Sequence, residues 1–173
     1  MDKFEELRFS FKPEFVKILF IAESRPAGGT FFYCANSNLY YTVKLAFEET
    51  FKKSFGKNDF LDFFKEKKCF LDDLCSIPVN SLSDLERIEE RIKGMKPLEE
   101  RLKTYKPEIV VILMKDIADC VVKVIKDSKI DNIKHIQITP FPVRSEQNKI
   151  NCKNGIKKAL SEALLRNIIH LSS

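Results

Sequence analysis

The sequence predicts an α/β protein of three αβα layers, in which a short, mostly parallel four-stranded sheet lies between helices, in one domain over residues 1–173. Three observations predict it. Apolar, β-branched runs alternate with amphipathic stretches along the chain, an order that implies right-handed crossovers and a parallel sheet covered on both faces. Hydrophobic residues make up 44% and charged residues 32%, which is a globular composition. A chain of 173 residues is also long enough to bury a core without disulfides or a structural metal.

Phe15 to Ile21 is a nearly continuous apolar run, as expected of a strand buried on both faces. Pro26, Gly28 and Gly29 end it in a loop. From Asn38 to about Phe55, Leu39, Val43, Phe47 and Phe51 recur at helical spacing after an Asn cap, and Gly56 closes the helix. A short helix over Asn58 to Lys67 precedes a second buried strand, Cys69 to Leu74, which carries two aspartates, Asp72 and Asp73, near its end. Ser83 and Glu86 form a capping box that starts a charged helical stretch. Gly94 and Pro97 are expected to break that stretch before a second helix reaches Tyr105, and its charge reads as a solvated face. Pro107 to Leu113 is the clearest β-branched strand, followed by a helix from about Asp116 to Lys126. A fourth strand, Ile133 to Ile138, runs into Thr139-Pro140-Phe141-Pro142, and a last amphipathic helix covers about Asn151 to His170.

In such sheets the site lies outside the carboxyl ends of the strands. That rule selects three loops rich in polar residues and proline: Ala22 to Tyr33, Asp72 to Asn80, and Thr139 to Lys149.

The net charge of +5 and pI near 8.9 favour a polyanionic partner modestly. No apolar run approaches the roughly 20 residues that span a bilayer, so no membrane partner is expected. The start, Met1 to Glu6, lacks the pattern of a secretory signal, which leads to an intracellular expectation. Five cysteines stand singly with no C-x-x-C pair, so no metal site is readable and the thiols are expected to be reduced. No cofactor is expected, and nothing in the sequence argues against a monomer.

The pieces in this order resemble the uracil-DNA glycosylase superfamily over about residues 15 to 165. Ile18 to Pro26, ending in Ala22-Glu23-Ser24-Arg25-Pro26, is similar to the first motif, a strand ending in Gly-Glu-x-Pro, with Ala22 in place of Gly. Cys69 to Leu74 sits where the family has a strand ending in Thr-Asn-Leu, and Lys106 to Leu113 resembles its Lys-Pro-x-hydrophobic strand. Thr139-Pro140-Phe141-Pro142 sits where the second motif reads His-Pro-Ser-Pro.

The resemblance implies a monofunctional DNA glycosylase that flips a deaminated or damaged base, such as uracil, hypoxanthine or xanthine, and hydrolyses its N-glycosidic bond during base-excision repair. Glu23 would orient or deprotonate the water, and Thr139 would take the place of the His that donates to the leaving base. A neutral hydroxyl is the weaker donor there, so slow or base-restricted activity is implied. Phe31 or Phe32 would stack on the base, with Phe32 slightly favoured. Asp73 would read its edge, and because an ionised carboxylate only accepts, it suits a ring presenting N–H groups. DNA contacts would come from Ser24, Arg25, Pro140, Arg144 and Ser145. Two other readings stand beside this one: a catalytically weak or inactive DNA-binding member of the same fold, and a Rossmann-like nucleotide binder with Gly28-Gly29 as a phosphate turn. His135 and His170 read as structural.

Overall fold

The computed structural model describes residues 2–57 and 59–171, so the expected helix start at Asn58 lies outside the described residues. Four strands, β1 (Ile18–Ala22), β2 (Cys69–Asp73), β3 (Ile109–Ile112) and β4 (His135–Ile138), form one sheet in the order β2-β1-β3-β4. Every pairing is parallel. The first three strands are buried along their whole length, as the apolar sequences of β1 and β3 require and although β2 ends in Asp72 and Asp73, whereas β4 alternates between half-buried and exposed residues.

Among the described residues six α-helices cover the sheet: α1 (Lys3–Ser10), α2 (Asn38–Phe51), α3 (Asp59–Glu66), α4 (Asp84–Tyr105), α5 (Ala118–Ser128) and α6 (Glu146–Leu165). Helix α2 packs beside α6, and α4 beside α5. The strands sort their side chains between these layers: Phe20 of β1 meets Phe47 of α2 and Phe64 of α3, while Phe70 of β2 meets Tyr105 at the end of α4. The outer edge of β2 is closed by Tyr33, whose hydroxyl donates to the Leu71 carbonyl (3.0 Å) and accepts from the Leu71 N–H (2.8 Å).

Several boundaries differ from expectation. Phe15 is 63% exposed and β1 begins only at Ile18. The cap of α2 is Ser37, which accepts from the Tyr40 N–H, and the helix ends with Lys52 in the left-handed region (φ 51°), before Gly56. Gly94 and Pro97 do not break α4, which runs unbroken for 22 residues from the Ser83 and Glu86 capping box. Gly94 is there for packing: a Cβ would lie 2.2 Å from the Leu74 carbonyl oxygen, so the glycine lets the helix rest on the chain leaving β2. Helix α6 starts at Glu146 on a Ser145 cap, and His135 is the first residue of β4. Helix α1 was not anticipated, because its buried residue is Arg8 and its apolar side chains form no clear stripe.

Candidate functional site

The three loops selected from the sequence meet at the carboxyl edge of the sheet and line two adjoining cavities. A fourth segment, Met114 to Asp116 after β3, joins them and was not foreseen. The first cavity, about 160 Å³, lies over the ends of β1 and β2 between Phe31, Phe32, Leu71 and Phe141, with Asp73 as its carboxylate. A cavity of about 150 Å³ admits benzene, so this one is of single-ring size. The second, about 400 Å³, lies over the ends of β1, β3 and β4 and includes Glu23, Arg87, Lys115 and Arg144. Ser24, Pro26, Phe141 and Val143 border both.

Strand register explains why the two carboxylates part company. Ala22 pairs with Asp73, so both point to one face of the sheet. Glu23 is one residue further and points to the other, because side chains alternate along a strand. Asp73 therefore joins the cavity walled by Phe31 and Phe32, and Glu23 faces α4.

On that face Glu23 is 7% exposed and receives Arg87 Nε on Oε1 (2.8 Å), Arg87 Nη2 on Oε2, and Arg91 on Oε1 (2.6 Å). Three hydrogen bonds leave about one acceptor position of an ionised carboxylate's four. Burial raises the Glu23 pKa, but the hydrogen bonds and charges of the two guanidiniums outweigh it and hold the carboxyl below its ordinary value. A group so stabilised as an anion is a poor proton acceptor. The water-handling role expected of Glu23 calls on oxygens that these arginines occupy.

The two aspartates of β2 are held by another pair of arginines. Arg8 of α1 donates to Asp72 Oδ1 (2.8 Å) and to Asp73 Oδ2, and Arg101 of α4 donates to Asp72 Oδ2 (2.8 Å) and to the Asp73 carbonyl (2.6 Å). Asp73 lines the single-ring cavity, and among the described residues no hydrogen bond reaches its Oδ1. Burial, together with the charge of Asp72, pushes the Asp73 pKa up despite Arg8.

Of the other expected residues, Phe31 and Phe32 both line the first cavity, and both also pack in the core: Phe31 edge-on to Phe4, Phe32 edge-on to Tyr33 and Tyr40. Ser24 and Arg25 line it as well, although the Ser24 hydroxyl already accepts from the Val79 N–H (3.2 Å) and Arg25 is paired with Asp2 (2.8 Å). Pro140 and Arg144 line the second cavity. Ser145 lines neither cavity and caps α6, accepting from the Asn148 N–H. Thr139 is fully buried, stands outside both cavities, and places its hydroxyl 3.5 Å from the Ile112 carbonyl and 3.6 Å from Cys152 Sγ. Gly28 and Gly29 form an exposed turn that opens no helix and lines neither cavity.

Besides Met114 to Asp116, the residues that the sequence did not disclose include the four arginines Arg8, Arg87, Arg91 and Arg101. Arg87, Arg91 and Arg101 sit on α4, where the charge was read as solvated. The available signal was the i, i+4 spacing of Arg87 and Arg91 on a helix crossing from β2 to β3. Among the described residues no group of three or more His, Cys, Asp or Glu side chains is placed to hold a metal ion, and no helix is long and apolar enough to cross a membrane. No protein-family model matches the chain, and comparison with curated proteins gives no match.

Proposed function

We propose that this protein binds nucleic acid by taking one unstacked base into the cavity between Phe31, Phe32 and Asp73, and that it does so as a DNA-binding or damage-sensing relative of the glycosylases its motifs resemble. The observation that carries this reading is a cavity of single-ring size, about 160 Å³, with aromatic walls and one carboxylate, at the strand ends where α/β sheets hold ligands. Engagement of Glu23 by Arg87 and Arg91, with Thr139 buried away from the cavities, favours binding over hydrolysis.

A second reading keeps hydrolysis: water adds to the sugar C1′, the N-glycosidic bond breaks, and the base departs with a proton. The raised pKa of Asp73 favours it, since a carboxyl perturbed by burial inside a cavity is how acid–base groups are commonly tuned. One experiment separates the two. Duplexes and single strands carrying uracil, hypoxanthine or xanthine are mixed with the protein, binding is followed by anisotropy, and the products are treated with alkali. Binding without strand breaks, lost when Leu71→Trp fills the cavity, supports the first reading. Strand breaks that disappear in Asp73→Asn but persist in Glu23→Gln support the second, and absence of binding to any strand removes both.

A further inference from the structure

We infer that the second cavity is a phosphate site, so that the ligand is a nucleotide unit whose ring and phosphate occupy the two adjoining cavities. The inference rests on the base-binding reading above. The 400 Å³ cavity lies where the strand order reverses: β1 is followed in space by β2 on one side and β3 on the other. Arg87, Lys115 and Arg144 line it. Arg91 stands behind Arg87 on the shared carboxylate of Glu23, so one carboxylate holds two guanidiniums and leaves one positive charge over. Counting Arg91 with the three lining cations, and setting Glu23 and the lining Asp116 against them, the surplus is positive.

At the lip, Asn148 Nδ2 donates to the Val143 carbonyl (2.9 Å), holding the turn before α6, and Arg144 is exposed beside it at the cavity. The guanidinium of Arg87 is anchored through Nε and Nη2 on Glu23, and no protein partner among the described residues engages its Nη1. A preoriented guanidinium, an ammonium and a second guanidinium around one cavity suit the oxygens of a phosphate. The cavities share Ser24, Pro26, Phe141 and Val143, so ring and phosphate would lie on either side of one partition.

The phosphate can belong to a free nucleotide or to a strand, and the test distinguishes them. Calorimetry on the full chain compares a nucleoside, its 5′-monophosphate, inorganic phosphate, and a short single-stranded oligonucleotide, each with wild type, Lys115→Ala/Arg144→Ala and Asp116→Asn. The monophosphate or the oligonucleotide is expected to bind about tenfold or more tightly than the nucleoside, a margin lost in the double variant and widened in Asp116→Asn. A margin seen with the monophosphate assigns a free nucleotide; one seen only with the oligonucleotide, and falling with salt, assigns a strand. Equal binding of nucleoside, monophosphate and oligonucleotide, or a margin that survives the double variant in a protein with unchanged circular dichroism, overturns the inference while leaving the ring cavity standing. Binding of inorganic phosphate with no contribution from the ring overturns the base-binding reading and the nucleotide inference with it.

Discussion

Glu23 and Asp73 are carboxylates one register step apart, with opposite titration behaviour. The Glu23 carboxyl is held below its ordinary pKa, so its contribution to stability is present above the unfolded value, about 4.3, and is lost as pH falls through the native value. Asp73 is raised, so its contribution is present below the unfolded value, about 3.9, and is lost as pH rises through the native value. Glu23→Gln is expected to cost roughly 1–3 kcal/mol near neutral pH, because two partly buried guanidiniums lose their anion. The gap to wild type should narrow below about pH 4. Asp73→Asn is expected to give the opposite slope, with wild type losing ground to the variant as pH rises above about 4. Urea unfolding of the three proteins between pH 3 and 7 reads both slopes, and parallel curves would contradict the arginine assignments.

At the scale of elements, the informative case is α4. A glycine and a proline within a charged stretch were expected to end a helix, yet α4 continues through both, because its inner face is tied to the sheet by Leu98, Leu102 and three arginines. Packing outweighs local propensity here. Gly94→Ala would ordinarily gain about 1 kcal/mol of helix propensity. In this protein it is expected to lose roughly 2–4 kcal/mol of stability, as measured by urea unfolding, because the added methyl meets the Leu74 backbone rather than a movable side chain. The same element shows what was legible. The strands at Ile18 and Ile109 are legible as continuous apolar runs, that at Cys69 as the shorter run Cys69 to Leu71 ahead of two aspartates, and the selected loops follow from them. The arginines did not, because a guanidinium that reaches a buried carboxylate and one that faces water have the same local sequence. Whether Glu23 and Asp73 share a cavity was equally hidden, since it depends on which residue of β1 pairs with which of β2.

For the whole molecule, the buried ion cluster is what fastens the amino-terminal helix to the sheet. Arg8 is 3% exposed and bridges Asp72 and Asp73, while among the described residues its own Nε has no partner. Arg8→Ala leaves Arg101 alone against two buried carboxylates and is expected to cost roughly 3–5 kcal/mol. Thermal unfolding checks this, and a loss under 1 kcal/mol would mean that α1 is not fastened in this way. The all-parallel sheet places most of its pairings far apart in sequence, a topology that folds more slowly than local helical packing.

The amino-terminal residues also back the wall of the ring cavity. Arg25 of its wall is paired with Asp2 and lies over the Phe4 ring (4.6 Å), which in turn stands edge-on to Phe31 (5.5 Å). Any polypeptide fused immediately ahead of Asp2, including an affinity tag, is therefore attached to a buttress of the binding cavity. Ligand measurements on this protein are best made with the carrier at the far terminus or removed.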